Sequence, residues 1–423
     1  MVTSVTFFPS LSARQVAAEP VITLKNRFAE QNPRLNDSPV SLIARPRLKK
    51  FVEVGTGHIR KVFSTPGVFN DDLFVVSGLK LYRGGYGGPF SDKGTISTQL
   101  TGGVSMCAVA PIGTTPAFLW IAEGGILWVY TDNGQAMGHL EVTGTLANND
   151  TFVIGGVYYK LTSGSVDTGT PNGTVGTPYL VNIGSNNGDA ITNLYNAINA
   201  TGVAGTDYST NIVDPHATVF AGSSSSTDLY VYAYEYGTAG NSIAVSETSA
   251  NAAWTAATLA GGGSEQLRQV QVPGDVGAIS VAQINSYVIV VPIQTTDLKG
   301  QFFWVNPGET KIDPTDFATA ERSPDGINQV VVFGEMFWLM GQNTTEPWIT
   351  TGDATAPMER FKGVLYDRGS WEGAAIQVKD SLVTIDEDGG VWVISGGSNR
   401  VSTPDIEEKI RRAIQKAALI ASF

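Results

Sequence analysis

The side chains that most often carry chemistry are few in this chain and are spread along it. Histidine occurs three times, at His58, His139 and His216, and cysteine once, at Cys107. Zinc sites combine several Cys, His or carboxylate ligands at short, regular spacings. No histidine here lies four residues from another ligand type, and a single cysteine forms neither a Cys pair nor an internal disulfide. The sequence therefore predicts no metal site.

Acidic side chains offer two further kinds of chemistry. Paired carboxylates cleave glycosides, and five acids lie close enough in sequence to be considered: Asp313, Asp316, Glu321, Asp325 and Glu335. Their spacing singles out no pair. The run Asp386-Glu387-Asp388 lacks the twelve-position pattern of a calcium loop, so we interpret it as an acidic hairpin tip. Nucleophile-elbow and phosphate-loop motifs are also absent from the sequence, which predicts no catalytic residue, no cofactor-binding residue and no cofactor.

A basic segment near the N-terminus is the one candidate contact site. Residues 1–61 contain ten Lys or Arg and four Asp or Glu, a net charge of +6, whereas the whole chain carries −12. The overall acidity argues against a general nucleic-acid binder, which needs a concentrated basic face. We predict that Arg45, Arg47, Lys49 and Lys50 contact an acidic neighbour or DNA passing through a channel. A solvated basic arm is the alternative.

The elements that would position these residues are short β-strands. The stretch Glu321–Gly352 contains three β-branched or aromatic runs, Gln329–Phe333, Met336–Met340 and Trp348–Thr351, with turn residues between them. Strands so close in sequence form an antiparallel meander most simply. With 48 glycines in 423 residues, the composition also favours a β fold that is rich in tight turns.

Two distant hairpins in the chain are built alike. Phe118–Tyr130 and Ser381–Ile394 each contain an apolar strand, an acidic-Gly-Gly turn and an aliphatic-Trp-Val strand. Weak self-similarity between sheet units is typical of a β-propeller. A two-sheet sandwich gives similar turn spacing, so the pattern favours the propeller only slightly.

A change in composition predicts the domain organisation. Residues 1–55 are predicted to form an extended arm, and residues 56–140 and 264–423 a propeller-like core. Between them, residues 141–263 are rich in Gly, Ser and Thr and contain nine acids against one lysine, a net of −8. They are predicted to form an inserted α+β domain on the outside of the core, whose helix buries Ile191, Leu194 and Ile198.

A second helix is predicted from about Ser402 to the end of the chain. The pattern Ser402-Thr-Pro-Asp405 fits an acidic capping box, and Ile406, Ile410 and Ile414 share one face of the helix. Such a face packs on a core or meets a partner subunit. No run in the chain reaches the roughly 20 apolar residues of a membrane span.

Taken in order, several stretches resemble the packaged-DNA stabilisation, or tail hub, family of short-tailed bacteriophages. The matching stretches are Asn26–Pro33, Ser41–Pro46, Ile59-Arg60 with Thr65–Gly67, Val75–Gly84, Ser323–Asn328, the meander to Gly352, and Val401–Ile410. The resemblance covers roughly residues 1–140 and 264–412. The insertion separately resembles a small module of phage tail proteins, through Ala204–Tyr208, Ala239–Ile243 and Thr258–Gly262.

The resemblance implies a structural virion protein with a propeller-like core and no enzymatic activity. It further implies a homo-hexameric ring beneath portal and adaptor proteins that continues the DNA channel and retains the packaged genome. Such a protein is assembled with other tail proteins in the host cytoplasm. Whether the propeller closes within one chain stays open. The alternative is a tail-associated propeller that binds or cleaves glycans, which exposed aromatic residues at the central funnel would favour.

Overall fold

The computed structural model describes residues 27–31, 40–44, 51–100, 102–320, 325–353, 355–395 and 397–421. It divides into two compact units, Met1–Glu53 and Val54–Phe423. In the first unit, β1 (Arg27–Gln31) and β2 (Val40–Ala44) pair as an antiparallel hairpin. Two described segments of the predicted arm therefore pair with each other as antiparallel strands. The predicted contact residues Arg45, Arg47, Lys49 and Lys50 lie outside the described residues.

The second unit begins with a four-stranded antiparallel sheet that we call blade 1. Its strands are β3 (Ile59–Phe63), β4 (Leu73–Ser77), β5 (Lys80–Gly84) and β6 (Ser91–Thr95). Blade 2 follows with β7 (Val104–Val109), β8 (Phe118–Glu123) and β9 (Ile126–Thr131). The turn between β8 and β9 places Gly124 and Gly125 at φ of 58° and 78°. Two successive left-handed residues fit the twist of a tight hairpin, which explains the Gly-Gly pair.

A lobe, residues 132–265, then interrupts blade 2. Its elements are β10 (Gln135–Val142), β11 (Thr151–Ile154), β12 (Val157–Thr162), β13 (Tyr179–Asn182), helix α1 (Asn187–Asn199), β14 (Val219–Ser224), β15 (Asp228–Tyr236), β16 (Val245–Glu247) and β17 (Ala252–Trp254). They form two four-stranded sheets around an apolar core of their own, in which Ile191, Leu194 and Ile198 of α1 are buried as predicted.

The chain then returns to blade 2 and forms three further blades. Strand β18 (Gln266–Val270) pairs with β9, so the lobe enters and leaves at one blade edge. Blade 3 contains β19 (Ala278–Ile284), β20 (Tyr287–Pro292), β21 (Gln301–Val305) and β22 (Phe317–Thr319). Blade 4 contains β23 (Gln329–Phe333), β24 (Met336–Met340), β25 (Thr345–Thr350) and β26 (Met358–Arg360). Blade 5 contains β27 (Ile376–Val378), β28 (Ser381–Ile385), β29 (Val391–Ile394) and β30 (Ser398–Arg400), and helix α2 (Pro404–Ala421) follows.

The fold class predicted from sequence is confirmed: a mainly β, propeller-like arrangement with a C-terminal helix. The two look-alike hairpins are the second and third strands of blades 2 and 5. They resemble each other because they occupy equivalent places in two copies of one sheet unit. The meander predicted within Glu321–Gly352 corresponds to the first three strands of blade 4.

Three local predictions are wrong. Strand β25 begins at Thr345 and includes Pro347, whose carbonyl accepts a hydrogen bond from the Phe361 amide at 2.9 Å. The sequence pattern also predicts a strand at residues 241–245, but Asn241 and Ser242 end a 3₁₀ turn, Thr238–Ser242, and the strand starts only at Val245. Strand β10 pairs with β15 and β17, so the predicted boundary at residue 141 cuts through a strand of the lobe. The division of the chain into domains otherwise stays a prediction.

Apolar side chains join neighbouring blades in sequence order. One buried cluster lies between blades 1 and 2, and others between blades 2 and 3, 3 and 4, and 4 and 5. Within the described residues, no such cluster joins blade 5 to blade 1. Side chains on the first strands of these two blades are instead exposed: Ile59, Val62, Ile376 and Val378.

Candidate functional site

The three histidines lie far from a common centre. His58 is exposed, and His139 Nε2 lies 2.8 Å from Asp228 Oδ1 while its ring stacks on Tyr230. His216 is buried in the lobe. Among the residues that the structure describes, no group of three or more His, Cys, Asp and Glu side chains could hold a metal ion. In the same part of the chain, no helix has both the length and the apolar character needed to cross a membrane.

The candidate carboxylates have structural partners or face solvent. Asp313 accepts from Thr315, and Asp316 accepts from Asn306. Asp325, in the stretch that carries the phage resemblance, accepts from the backbone amides of Asn343 and Thr344 and so fixes a turn of blade 4. Glu321 lies outside the described residues, and Glu335 is exposed.

At the tip of blade 5, Asp386 is likewise occupied by protein donors. Its two carboxylate oxygens accept from the Gly390 amide at 2.6 Å and from the Trp392 indole nitrogen at 2.7 Å. A carboxylate that already accepts two hydrogen bonds at this distance acts as a turn brace. The interpretation of Asp386-Glu387-Asp388 as a hairpin tip agrees with these contacts.

The blades surround a small central space. Its volume is about 300 Å³, and its lining comes from the first strand of every blade or the residues next to it, including Lys61, Met106, Ala282, Val330 and Ile376. That volume holds roughly ten water molecules. Burial lowers the pKa of Lys61. Among its described lining residues, Phe63 is the single aromatic, so this space gives no support to glycan binding.

A buried ion pair lies beside a second opening at the propeller centre. Arg60 on β3 contacts Glu123 on β8, and both side chains are almost fully shielded from solvent. Arg60 also donates to the carbonyls of Gly78, Gln99 and Gly102, so several acceptors surround the guanidinium. The pair therefore fixes blade 1 against blade 2.

A larger cleft lies where the lobe meets blades 2 and 3. Its volume is about 630 Å³, and it is lined by the last turn of α1, by β14, by β18 with the loop after it, and by residues 310–315. Arg268 of β18 is 6% exposed and lines this cleft. Its guanidinium lies 4.8 Å from the Tyr232 ring centre and 5.5 Å from that of Phe220, and it donates to the carbonyl of Thr310.

Helix α2 is tied to blade 5 near its start. Glu407 contacts Arg400 and accepts from Ser402 Oγ at 2.5 Å, and the Val391 amide donates to Ser402 Oγ. The predicted capping partner of Ser402 was Asp405, so that detail is wrong: the hydrogen bonds of Ser402 run to Glu407 and Val391. On the apolar face of the helix, Ile406 is 46% exposed, whereas Ile410 and Ile414 are half-buried.

Sequence reasoning missed both buried arginines. Arg60 and Arg268 stand next to ordinary strand residues, and an arginine in an alternating strand is usually assigned to the solvent face. Their burial depends on partners that lie 63 and 42 residues away, Glu123 and Thr310. Nothing in the local sequence indicates those partners.

Comparison with known proteins gives one family match. Residues 248–420 match the phage stabilisation family, described as Bacteriophage P22 Gp10, beta-propeller. The matched range begins in the lobe, covers blades 3 to 5 and extends into α2. It contains the resembling stretches Ser323–Asn328 and Val401–Ile410, whereas the stretches before residue 140 lie outside it. No curated protein matches the chain.

Solved structures give only distant likenesses. A crystal structure of BBS1N in complex with ARL6DN is 11% identical, covers 83% of each chain and has a TM-score of 0.28. A structure of YCF48 bound to D1 peptide is 12% identical, covers 92% of this chain and 88% of that one, and has a TM-score of 0.30. These values support no functional argument. The family match, which lies on the described blades, supports a structural phage protein of the β-propeller class.

Proposed function

We propose that this protein is a tail hub, or head-to-tail connector, of a short-tailed phage. In this role it forms a ring that continues the DNA channel and retains the packaged genome in the virion. The observation that carries the proposal is the match of residues 248–420 to the phage stabilisation propeller family. The proposed role is structural, without enzymatic activity and without a cofactor.

The size of the central space determines what one copy can do in such a ring. We propose that the DNA channel runs between copies rather than through one propeller, whose central space is only about 300 Å³. In this arrangement each propeller forms one part of the channel wall. We propose a homo-hexamer, assembled in the host cytoplasm with portal, adaptor and other tail proteins.

Exposed apolar side chains support contact between copies. Val378 on blade 5 is 49% exposed, and Ile59 and Val62 on blade 1 are 52% and 54% exposed. Apolar surface of this kind marks interaction sites on soluble proteins. Two different surfaces that meet head to tail produce a closed ring when the rotation between copies closes.

The basic residues Arg45, Arg47, Lys49 and Lys50 are proposed to contact an acidic partner or passing DNA. A net of +6 in residues 1–61 motivates this assignment. Salt screens the attraction between opposite charges, so the proposed contact should weaken as the ionic strength rises.

The copy number in virions tests the proposed function. Native mass spectrometry of the purified protein, alone and mixed with its portal-side partner, should give a closed oligomer in at least the mixed sample. Quantitative mass spectrometry of purified virions should give one ring's worth of copies. A strictly monomeric protein under every condition, present at one or two copies per virion, would contradict the proposal.

A further inference from the structure

Arg268 is a buried cation for which the described residues supply no counter-ion. Its hydrogen bonds run from one terminal nitrogen, Nη2, to the carbonyl and hydroxyl oxygens of Thr310. No carboxylate in the described part of the chain pairs with it, and neither Nε nor Nη1 has a hydrogen-bond acceptor there. An uncompensated buried charge is costly. Burial lowers the pKa of Arg268, in keeping with a guanidinium that lacks an anion.

The rings around Arg268 hold it in a fixed orientation. Tyr232 and Phe220 stack on each other at 5.6 Å, and both lie beside the guanidinium carbon. Cation–π contacts offset part of the desolvation cost but satisfy no N–H group. Nε and Nη1 therefore keep N–H donors for a further acceptor, and a carboxylate forms strong, charge-assisted hydrogen bonds with a guanidinium.

The cleft beside Arg268 has the size and lining of a small-molecule site. Its volume of about 630 Å³ lies within the range of ligand pockets. Val270, Val272 and Ile312 line it with apolar surface. Gln271, which also lines it, has a buried Oε1 atom without a hydrogen-bond partner, so the cleft offers an unused acceptor as well as unused donors.

Two acids restrict the charge of the ligand. Asp275 accepts from the Gln271 amide at 2.5 Å, and Asp313 braces Thr315, and both residues lie on the lining. Together they balance the charges of Arg268 and Lys311 on the same lining, so the cleft has no net positive charge to attract a polyanion. A ligand with one carboxylate and a mainly apolar body places its single negative charge at Arg268, away from these acids.

We propose that this cleft binds an organic monocarboxylate, whose carboxylate group pairs with Arg268 while its apolar body lies on Val270, Val272 and Ile312. The carboxylate comes either from a free small molecule or from an acidic side chain of a neighbouring protein chain. The proposal is independent of the hub function, because it depends only on the geometry of the cleft.

Calorimetric titration of the full-length protein tests the site. Hexanoate represents a free carboxylate, the blocked peptide acetyl-Ala-Glu-Ala-amide represents a protein carboxylate, and hexanamide is the uncharged control for hexanoate. Arg268→Lys keeps the charge but loses the forked donor geometry, and Arg268→Gln removes both. Lys362→Gln is the matched surface control, because the side chain of Lys362 is 81% exposed. Melting curves establish whether each variant is folded. If Arg268→Gln does not fold, the comparison of Arg268→Lys with the wild type is sufficient.

Saturable binding of hexanoate or of the peptide, no binding of hexanamide, and a loss of about tenfold or more in affinity in Arg268→Lys would support the proposal. If one of the two carboxylate probes binds and the other does not, the result identifies the source of the carboxylate. Three results would overturn the proposal: no binding of either carboxylate up to millimolar concentration, equal binding of hexanoate and hexanamide, or equal affinity in Arg268→Lys and Lys362→Gln.

Discussion

The ion pair between Arg60 and Glu123 joins the first two blades at a point that solvent does not reach. The side chains are 4% and 0% exposed. Taking two charges out of water costs free energy, and the pair is tolerated because Arg60 also donates to three carbonyls. Removing one partner leaves the other charge buried without compensation, which is more harmful than removing both.

We predict that Arg60→Met lowers the free energy of unfolding by about 3–5 kcal/mol. Urea denaturation followed by tryptophan fluorescence would measure the loss. The double variant Arg60→Met/Glu123→Leu should recover part of it, because no lone charge remains. Lys80→Gln is the control, since the Lys80–Asp92 pair is exposed and such pairs contribute at most about 1 kcal/mol. Equal effects of Arg60→Met and Lys80→Gln would contradict the assignment.

His216 makes the lobe sensitive to acid. Its Nδ1 accepts from the amides of Thr218 and Val219, and its Nε2 donates to the Ile154 carbonyl at 3.0 Å, so the geometry fits the neutral ring. Burial lowers the pKa of His216 below its ordinary value of 6.5. The unfolded chain therefore takes up a proton first as the pH falls, and folding stability declines below about pH 6.5.

We predict that His216→Gln reduces this pH dependence. Between pH 7 and pH 5, the melting temperature of the wild-type lobe should fall more steeply than that of the variant, although the variant starts lower because it loses hydrogen bonds. His58→Gln is the control, since His58 is exposed. If the melting temperature of His216→Gln falls with decreasing pH as steeply as that of the wild type, other groups cause the acid sensitivity.

The lobe is an element that the blades should fold without. Its core residues belong to one apolar cluster that contains no blade residue, and its two ends meet where Thr131 pairs with Gln266. Insertions are tolerated where few buried contacts cross the junction. Contacts that do cross it include Tyr236 against Phe118 and the rings of Phe220 and Tyr232 beside Arg268.

We predict that replacing residues 133–264 by Asn-Gly gives a soluble propeller with a single cooperative melting transition. The short turn rejoins β9 to β18 in their present register. The isolated lobe, residues 132–265, is the companion sample and should fold by itself. An insoluble core, or one that melts far below the full chain, would show that the lobe is integral to the propeller fold.

The basic residues 45–50 give a prediction about salt. Replacing Arg45, Arg47, Lys49 and Lys50 by Gln should reduce ring assembly more at low than at high ionic strength, because salt already screens the attraction. The matched control removes four exposed charges elsewhere: Lys299, Lys362, Lys379 and Lys409. Assembly yields by native mass spectrometry compare the two variants. An unchanged yield at low salt would argue against the contact.

At the level of elements, sequence pattern works where local rules determine the outcome. Met336–Met340 and Gln329–Phe333 were predicted at their observed bounds because turn residues flank β-branched and aromatic runs. Pro347 was placed in a turn because proline has a fixed φ that is typical of turns, yet tertiary pairing places it in β25. Strand β10 was assigned to the core because its partners, β15 and β17, lie about a hundred residues away.

The candidate sites were less predictable than the fold. The absence of a metal or catalytic motif could be read directly from residue types and spacings. The Arg268 cleft could not, because it forms only when the lobe packs against blades 2 and 3, and β18 is separated from β9 by the whole lobe. Burial of a charge is a property of the assembled chain rather than of its neighbours in sequence.

At the scale of the whole molecule, five blades share four apolar clusters. Within the described residues, the faces of blades 5 and 1 are therefore left with exposed Ile and Val side chains. We propose head-to-tail contacts between copies through these faces; such contacts form a ring when the rotation between copies closes and otherwise continue into filaments.

The most direct test of the hub proposal is cryo-microscopy of intact virions that locates and counts this chain. We expect a closed ring of copies on the tail axis, next to the portal side, with the DNA channel running between the propellers. One or two copies at the tips of tail fibres, away from the axis, would contradict the proposal.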